Sequence, residues 1–244
     1  MAILLRSMCS EEGERGVIPH GLLNSYPPCE ENTCSMKVGI FGGSFNPIHL
    51  GHIALAQAAI EQQLVDEVWL LVSPLNPLKV NKTLLPEEER LRLAEKALEG
   101  KKGIKASSFE FQLERPSYIW KTLEALETAY PQHTFSLIIG GDNWAIFDRW
   151  VKAELIRTHY NIYVYPREGS PILPDAEGHM PTAVIDAPLY PFSSTDIRNA
   201  IAEGAPDEVL ATMLPESIID DCRRLYGPLP TSPVRGGARS IGRF

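Results

Sequence analysis

Apolar residues fall into short blocks along the chain, and segments with helical spacing separate them. "KVGIF" (37–41), "EVWLLVS" (67–73), "TFSLIIG" (134–140) and "NIYVYPR" (161–167) are almost unbroken apolar runs, the pattern of strands buried on both faces. "IKASSFEFQL" (104–113) reads as another strand, and "TAVIDAP" (182–188) as a sixth with a weaker pattern. Between them, "LGHIALAQAAIEQQL" (50–64) and "SYIWKTLEALETAY" (117–130) repeat apolar residues at helical intervals. "LPEEERLRLAEKAL" (85–98) has Pro86 near its start and acids in the first turn, which suits the positive end of a helix dipole. "STDIRNAIAEG" (194–204) starts at a Ser/Thr cap and stops at Gly204, and "PESIIDDCRRLYG" (215–227) is the last helix. Strands that alternate with helices and are apolar on both faces predict an α/β fold. It is a doubly wound parallel sheet, Rossmann-like, whose ligands bind beyond the carboxyl ends of the strands.

The ends differ from the middle. Residues 1–35 show no sustained periodicity and read as a flexible N-terminal extension; 36–227 form one domain; 228–244, rich in Gly, Pro and Arg, read as a flexible tail. The formal net charge of −8 gives no reason to expect a nucleic-acid surface. No apolar run approaches the ~20 residues that span a bilayer, and "MAILL" is too short for the core of a secretory signal, so a cytoplasmic location with no membrane partner is expected. Cys9, Cys29, Cys34 and Cys222 form no C-x-x-C pair and read as reduced thiols.

The chemistry gathers where the fold demands it, just after the strands. Gly42 and Gly43 follow the first strand, where glycine allows a tight turn and the close approach of a phosphate. They fit neither the dinucleotide G-x-G-x-x-G pattern nor a P-loop. His49 and His52 then fall at the start of a helix, with Gly51 keeping that end open. Amides and dipole there favour an anion, and two imidazoles could donate to phosphate oxygens. From the residues alone, a plain tight turn and two exposed cap histidines remain alternatives. A zinc site would need a third ligand, and none is obvious nearby. Ser193, Ser194 and Thr195 open a second helix with Arg198 one turn in, either a second anion site or a simple N-cap beside an exposed arginine. Asp142 follows the fourth strand, where a carboxylate can accept from ribose hydroxyls or cap the next turn. Trp150 offers a flat face for stacking or for the core.

"GGSFNPIHLGH" (42–52) resembles the H-x-G-H phosphate-binding signature of the nucleotidyltransferases related to class I aminoacyl-tRNA synthetases, and "FSSTDIR" (192–198) resembles their I-S-S-T-x-x-R, with Phe192 for isoleucine. "SPLNPLK" (73–79), "RPSYIWKTL" (115–123), "IIGGDNWAIFDRW" (138–150) and "YVYPREG" (163–169) are similar in order and spacing to segments of bacterial nicotinate-nucleotide adenylyltransferases. The resemblance runs from about Met36 to Gly227. It implies transfer of the adenylyl group of ATP to nicotinate mononucleotide, with pyrophosphate released. Close alternatives are relatives acting on nicotinamide mononucleotide or phosphopantetheine, and a non-catalytic nucleotide-binding module. By the same resemblance, His49, His52, Lys79 and Arg198 carry charge to the triphosphate. Gly42, Gly43, Ser44, Phe45, Asp142, Ser194 and Thr195 complete an ATP site. Ser117, Tyr118, Ile119 and Trp150 receive nicotinate, with Ile119 standing where threonine is usual. Mg2+ is expected to arrive with ATP, with no metal held by protein ligands alone, and a homo-oligomer is left open.

Overall fold

The computed structural model describes residues 34–74, 84–167, 169–174 and 178–227. The expected extension (apart from its last two residues), the tail and Lys79 lie outside these. Among the described residues six strands form one sheet: β1 (Lys37–Gly43), β2 (Glu67–Val72), β3 (Ile104–Ser107), β4 (Thr134–Gly140), β5 (Asn161–Tyr165) and β6 (Ala183–Val184). Their order is β3-β2-β1-β4-β5-β6 and every pairing is parallel. The chain winds outward in one direction from β1 and then in the other from β4, so the β1–β4 boundary is the switch point at which such sheets bind ligands.

The expected helices are present as α1 (Leu50–Glu61), α2 (Glu87–Ala97), α3 (Ile119–Ala129), α6 (Ser194–Ala202) and α8 (Ile219–Tyr226). Three short ones carry no strong sequence signal: α4 (Gly141–Trp144), α5 (Ala153–His159) and α7 (Asp207–Leu210). α5 is the crossover that the parallel pair β4–β5 requires. The expected strand over 104–113 is corrected: it ends at Ser107, and Phe109–Gln112 is a 3-10 turn. That turn buries Phe109 and Glu110, while β3, an edge strand, keeps Lys105 in solvent.

β1, β2 and β4 are buried through their middles, which is why they read as apolar runs and not as alternating ones. A side chain on Gly39 of β1 would strike Ile138 of β4, and the glycine lets the core close between these strands. α1 presses Ile53, Leu55, Ala56, Ala58 and Ala59 inward, and its small residues allow close packing on the sheet. Lys96 and Arg92 of α2 both pair with Asp221 of α8, tying these two helices together. No helix among the described residues is long and apolar enough to cross a membrane.

Candidate active site

The loop from Gly43 to His49 leaves the end of β1 and turns sharply. Phe45 takes a positive φ of 42°, a conformation that costs a bulky residue on the order of 1 kcal/mol or more. Its ring is buried and meets Phe41 and His52 edge-on, at centroid distances of 5.6 and 5.0 Å. A side chain on Gly43 would press on that ring, so this glycine serves Phe45. A side chain on Gly42 would meet nothing within 4 Å, and this is the position that leaves open space beside the strand end.

His49 is the N-cap of α1 and His52 its third residue. The His49 amide donates to Nδ1 of His52 at 3.2 Å. A nitrogen that accepts carries no proton, so neutral His52 holds its hydrogen on Nε2 and can donate from there. The two imidazoles stack with centroids 3.6 Å apart and planes 25° from parallel. Stacked rings aim their in-plane nitrogens side by side and not at one point, so that N–H groups on them suit two oxygen atoms of a polyphosphate better than the rings suit one metal ion. Among the described residues no group of three His, Cys, Asp or Glu is placed to hold a metal.

His49 is only 8% exposed, and its Nδ1 has no hydrogen-bond partner among the described residues. Burial, and then the positive charge of Arg167, pull its pKa down to about 4. In the free protein at neutral pH it is therefore uncharged, and what the ring offers there is a hydrogen bond. Gly51 also has a different task from holding the helix end open: a side chain there would lie 3.1 Å from the His49 ring.

The second element closes on the first. Ser193 caps α6 and trades hydrogen bonds with Asp196. Ser194 donates from Oγ to the carbonyl of Pro47 at 2.9 Å. Arg198 donates to the carbonyls of Asn46 (2.7 Å) and Ser194 (3.1 Å) and to Oγ1 of Thr195 (3.1 Å). Two helix starts are thereby locked around one loop, although about 150 residues of sequence separate them.

Asp142 sits in the first turn of α4 and does not cap it; the N-cap is Gly140. Its carboxylate lies 3.5 Å from Arg167, which also donates to the hydroxyl of Tyr165 at 2.6 Å. Arg167 belongs with the site: it is close enough to His49 to depress its pKa. The sequence signal for it is its place just after β5, the same rule that locates Asp142 after β4.

The residues around Ser117 and Trp150 also come together. Tyr118 is the N-cap of α3 and Ile119 its first residue. Lys152 lies with Nζ 3.9 Å from the centre of the Trp120 ring, so the start of α3 adjoins the turn that carries Trp150. Trp150 leans on Phe147 at 5.3 Å, and the indole N–H groups of Trp120 and Trp150 have no partner among the described residues. Below Ser117 lies Glu110, a buried carboxyl that accepts from Thr122 Oγ1 (2.9 Å) and Ser117 Oγ (3.4 Å). Its burial raises its pKa, against the hydrogen bonds from Ser73, Thr122 and Ser117. Nothing local in "SSFEFQL" marks Glu110, because its burial follows from the turn that ends β3.

Residues 40–200 match the family described as cytidylyltransferase-like. The chain is 49% identical over 170 residues to a protein of Bacteroides thetaiotaomicron named probable nicotinate-nucleotide adenylyltransferase, which covers 69% of this chain and 83% of that one. It is 40% identical over 189 residues to the protein of that name from Cytophaga hutchinsonii, covering 75% and 95%. Among solved structures, the nicotinic acid mononucleotide adenylyltransferase of Plasmodium falciparum complexed with NaAD superposes with a TM-score of 0.61 at 17% identity, covering 76% of this chain and 95% of that one. At that identity the likeness is one of fold.

Proposed function

The chain belongs to the nicotinate-nucleotide adenylyltransferases, within the cytidylyltransferase-like family, and we propose that its residues divide the work of that reaction as follows. It transfers the adenylyl group of ATP to nicotinate mononucleotide, yielding nicotinate adenine dinucleotide and pyrophosphate in NAD biosynthesis. A 5′-phosphate oxygen of the mononucleotide attacks the α-phosphorus of ATP. The bond from that phosphorus to the bridging oxygen breaks, and its electrons leave with pyrophosphate. The nucleophile is already an anion, so no general base or covalent intermediate is needed, and catalysis reduces to alignment and charge stabilisation.

The observation that carries this division is the His49–His52 pair at the start of α1, locked through Pro47 and Asn46 to the start of α6. His52 donates from Nε2 to the departing phosphate oxygens, and His49 adds a neutral contact beside it. Arg198 and Lys79 supply positive charge. The first-turn amides of Ser194 and Thr195 hold the far end of the triphosphate, and Asp142 accepts from ribose. Trp150 stacks on the pyridine ring, while the amides at the start of α3 receive its carboxylate. Ile119 has no hydroxyl, so acid selectivity rests on those amides. Mg2+ enters as part of MgATP, held mainly by substrate oxygens and water. The cytoplasm is the compartment favoured by this chemistry and by the free thiols of Cys34 and Cys222.

The test measures pyrophosphate release from ATP with nicotinate mononucleotide, nicotinamide mononucleotide or phosphopantetheine as acceptor. The first is expected to be preferred; a preference for either of the others would replace the substrate named here. His52→Ala should lower kcat by about 10²–10³, the usual effect of removing one transition-state donor. Near-normal turnover would remove that role from His52.

A further inference from the structure

Arg90 stands on α2, apart from the residues assigned above, and its side chain is fully buried. A buried guanidinium is costly unless each donor finds an acceptor. Here the acceptors are four backbone carbonyls: Ser44 (2.6 Å) and Ser73 (2.8 Å) from Nη1, Leu85 (2.9 Å) from Nε, and Pro74 (3.2 Å) from Nη2. Ser44 belongs to the loop after β1, and Ser73 and Pro74 to the loop after β2. The amide of Ser73 donates in turn to the carbonyl of Gly43 at 2.9 Å. One cation thus joins the ends of two adjacent strands from below.

What it orients is the peptide between Ser44 and Phe45. That peptide is trans, so its N–H points opposite to the carbonyl that Arg90 holds. The Phe45 N–H therefore projects from the other side of the loop, where it meets no acceptor among the described residues. Phe45 is also the residue with the unfavourable φ, which persists only if its neighbours over-determine it. Arg90 grips the carbonyl just before it, and Arg198, from the opposite helix, grips that of Asn46 just after it.

We propose that Arg90 is a positioning residue for adenylyl transfer: it holds the Ser44–Phe45 peptide so that the Phe45 N–H meets a substrate phosphate oxygen beside His52. The proposal rests on the adenylyl-transfer reading above.

Arg90→Lys keeps the charge, but a compact ammonium cannot span four carbonyls on two loops. The variant should lose about 10²-fold in kcat, the scale of a small misplacement, with KM for ATP little changed. Arg92→Lys, a partly exposed position on the same helix, should keep the wild-type rate. With phenylalanine labelled with ¹⁵N, saturating inorganic triphosphate should move the Phe45 amide downfield in the wild type and move it less in Arg90→Lys. A folded Arg90→Lys enzyme with wild-type kcat overturns the proposal, and so does a wild-type Phe45 amide that ignores triphosphate. If Arg90→Lys does not fold, the wild-type titration alone decides. If the wild type releases no pyrophosphate with any acceptor, the adenylyl-transfer reading fails, and the titration still tests the orientation of the peptide.

Discussion

Replacing His49 with asparagine probes the electrostatics of the proposed phosphate site without a substrate. Asparagine is a good N-cap, so the start of α1 should survive, and the lost ring volume costs the same at every pH. What changes with pH is titration. The folded state holds His49 at about 4, against 6.5 for the free side chain. Between those values the unfolded chain binds the proton and the folded chain does not, so stability falls as pH drops through this window. The shift corresponds to about 3 kcal/mol in all, of which about 2 kcal/mol is lost by pH 5. Urea unfolding followed by tryptophan fluorescence, with no nucleotide present, should show this directly. Wild type should lose about 2 kcal/mol more than His49→Asn between pH 7 and pH 5. Curves that stay parallel over that range would show that His49 protonates freely in the native state. The neutral donor assigned to it would then be wrong.

Trp150→Ala should raise KM for nicotinate mononucleotide at least tenfold with little change in KM for ATP, since one stacked face is lost from the acceptor side only; equal changes in both constants would point to a collapse of the turn. Glu110 titrates in the opposite sense from His49: its folded pKa is raised, so ionising it costs stability as pH rises above its ordinary range. Glu110→Gln should therefore gain more in Tm over wild type at pH 8 than at pH 5, and calorimetry at the two values checks it. Tyr226 donates to Oδ1 of Asn46 at 2.8 Å, and Tyr226→Phe should cost about 1 kcal/mol in urea unfolding and slow turnover by loosening the first loop. Excess chelator should abolish turnover and added Mg2+ restore it without changing the far-ultraviolet circular dichroism, because the metal comes with ATP and not with the fold.

The order of strands and helices is legible in the sequence because it follows from hydrophobic period, a local property of consecutive residues. The two helix starts of the candidate site are legible for the same reason. His49 and His52 share one helix start, and Ser193, Ser194 and Arg198 share another. Short motifs at helix N-termini carry their chemistry within a single turn. Where local signals are short or mixed, the sequence misleads. Residues 104–113 read as one strand but divide into a strand and a 3-10 turn, and α5 is too short to stand out between two stronger strands.

The tertiary structure decided everything that depends on distant neighbours. Arg90 sits in "EEERLRLAEK", where an arginine would ordinarily lie in solvent; its place on the stripe with Leu93, Ala94 and Ala97 is the only hint of burial. Its acceptors lie up to 46 residues away. That Arg198 grips the loop beside His49, that Arg167 bears on the histidine itself, and that Trp150 adjoins the start of α3 all follow from the order of strands in the sheet. The sequence determined that two histidines would stand at one helix start and a Ser-Ser-Thr run with an arginine at another. The folded chain decided that one histidine there would be neutral, because desolvation and a nearby positive charge are properties of a surrounding volume and not of a stretch of residues.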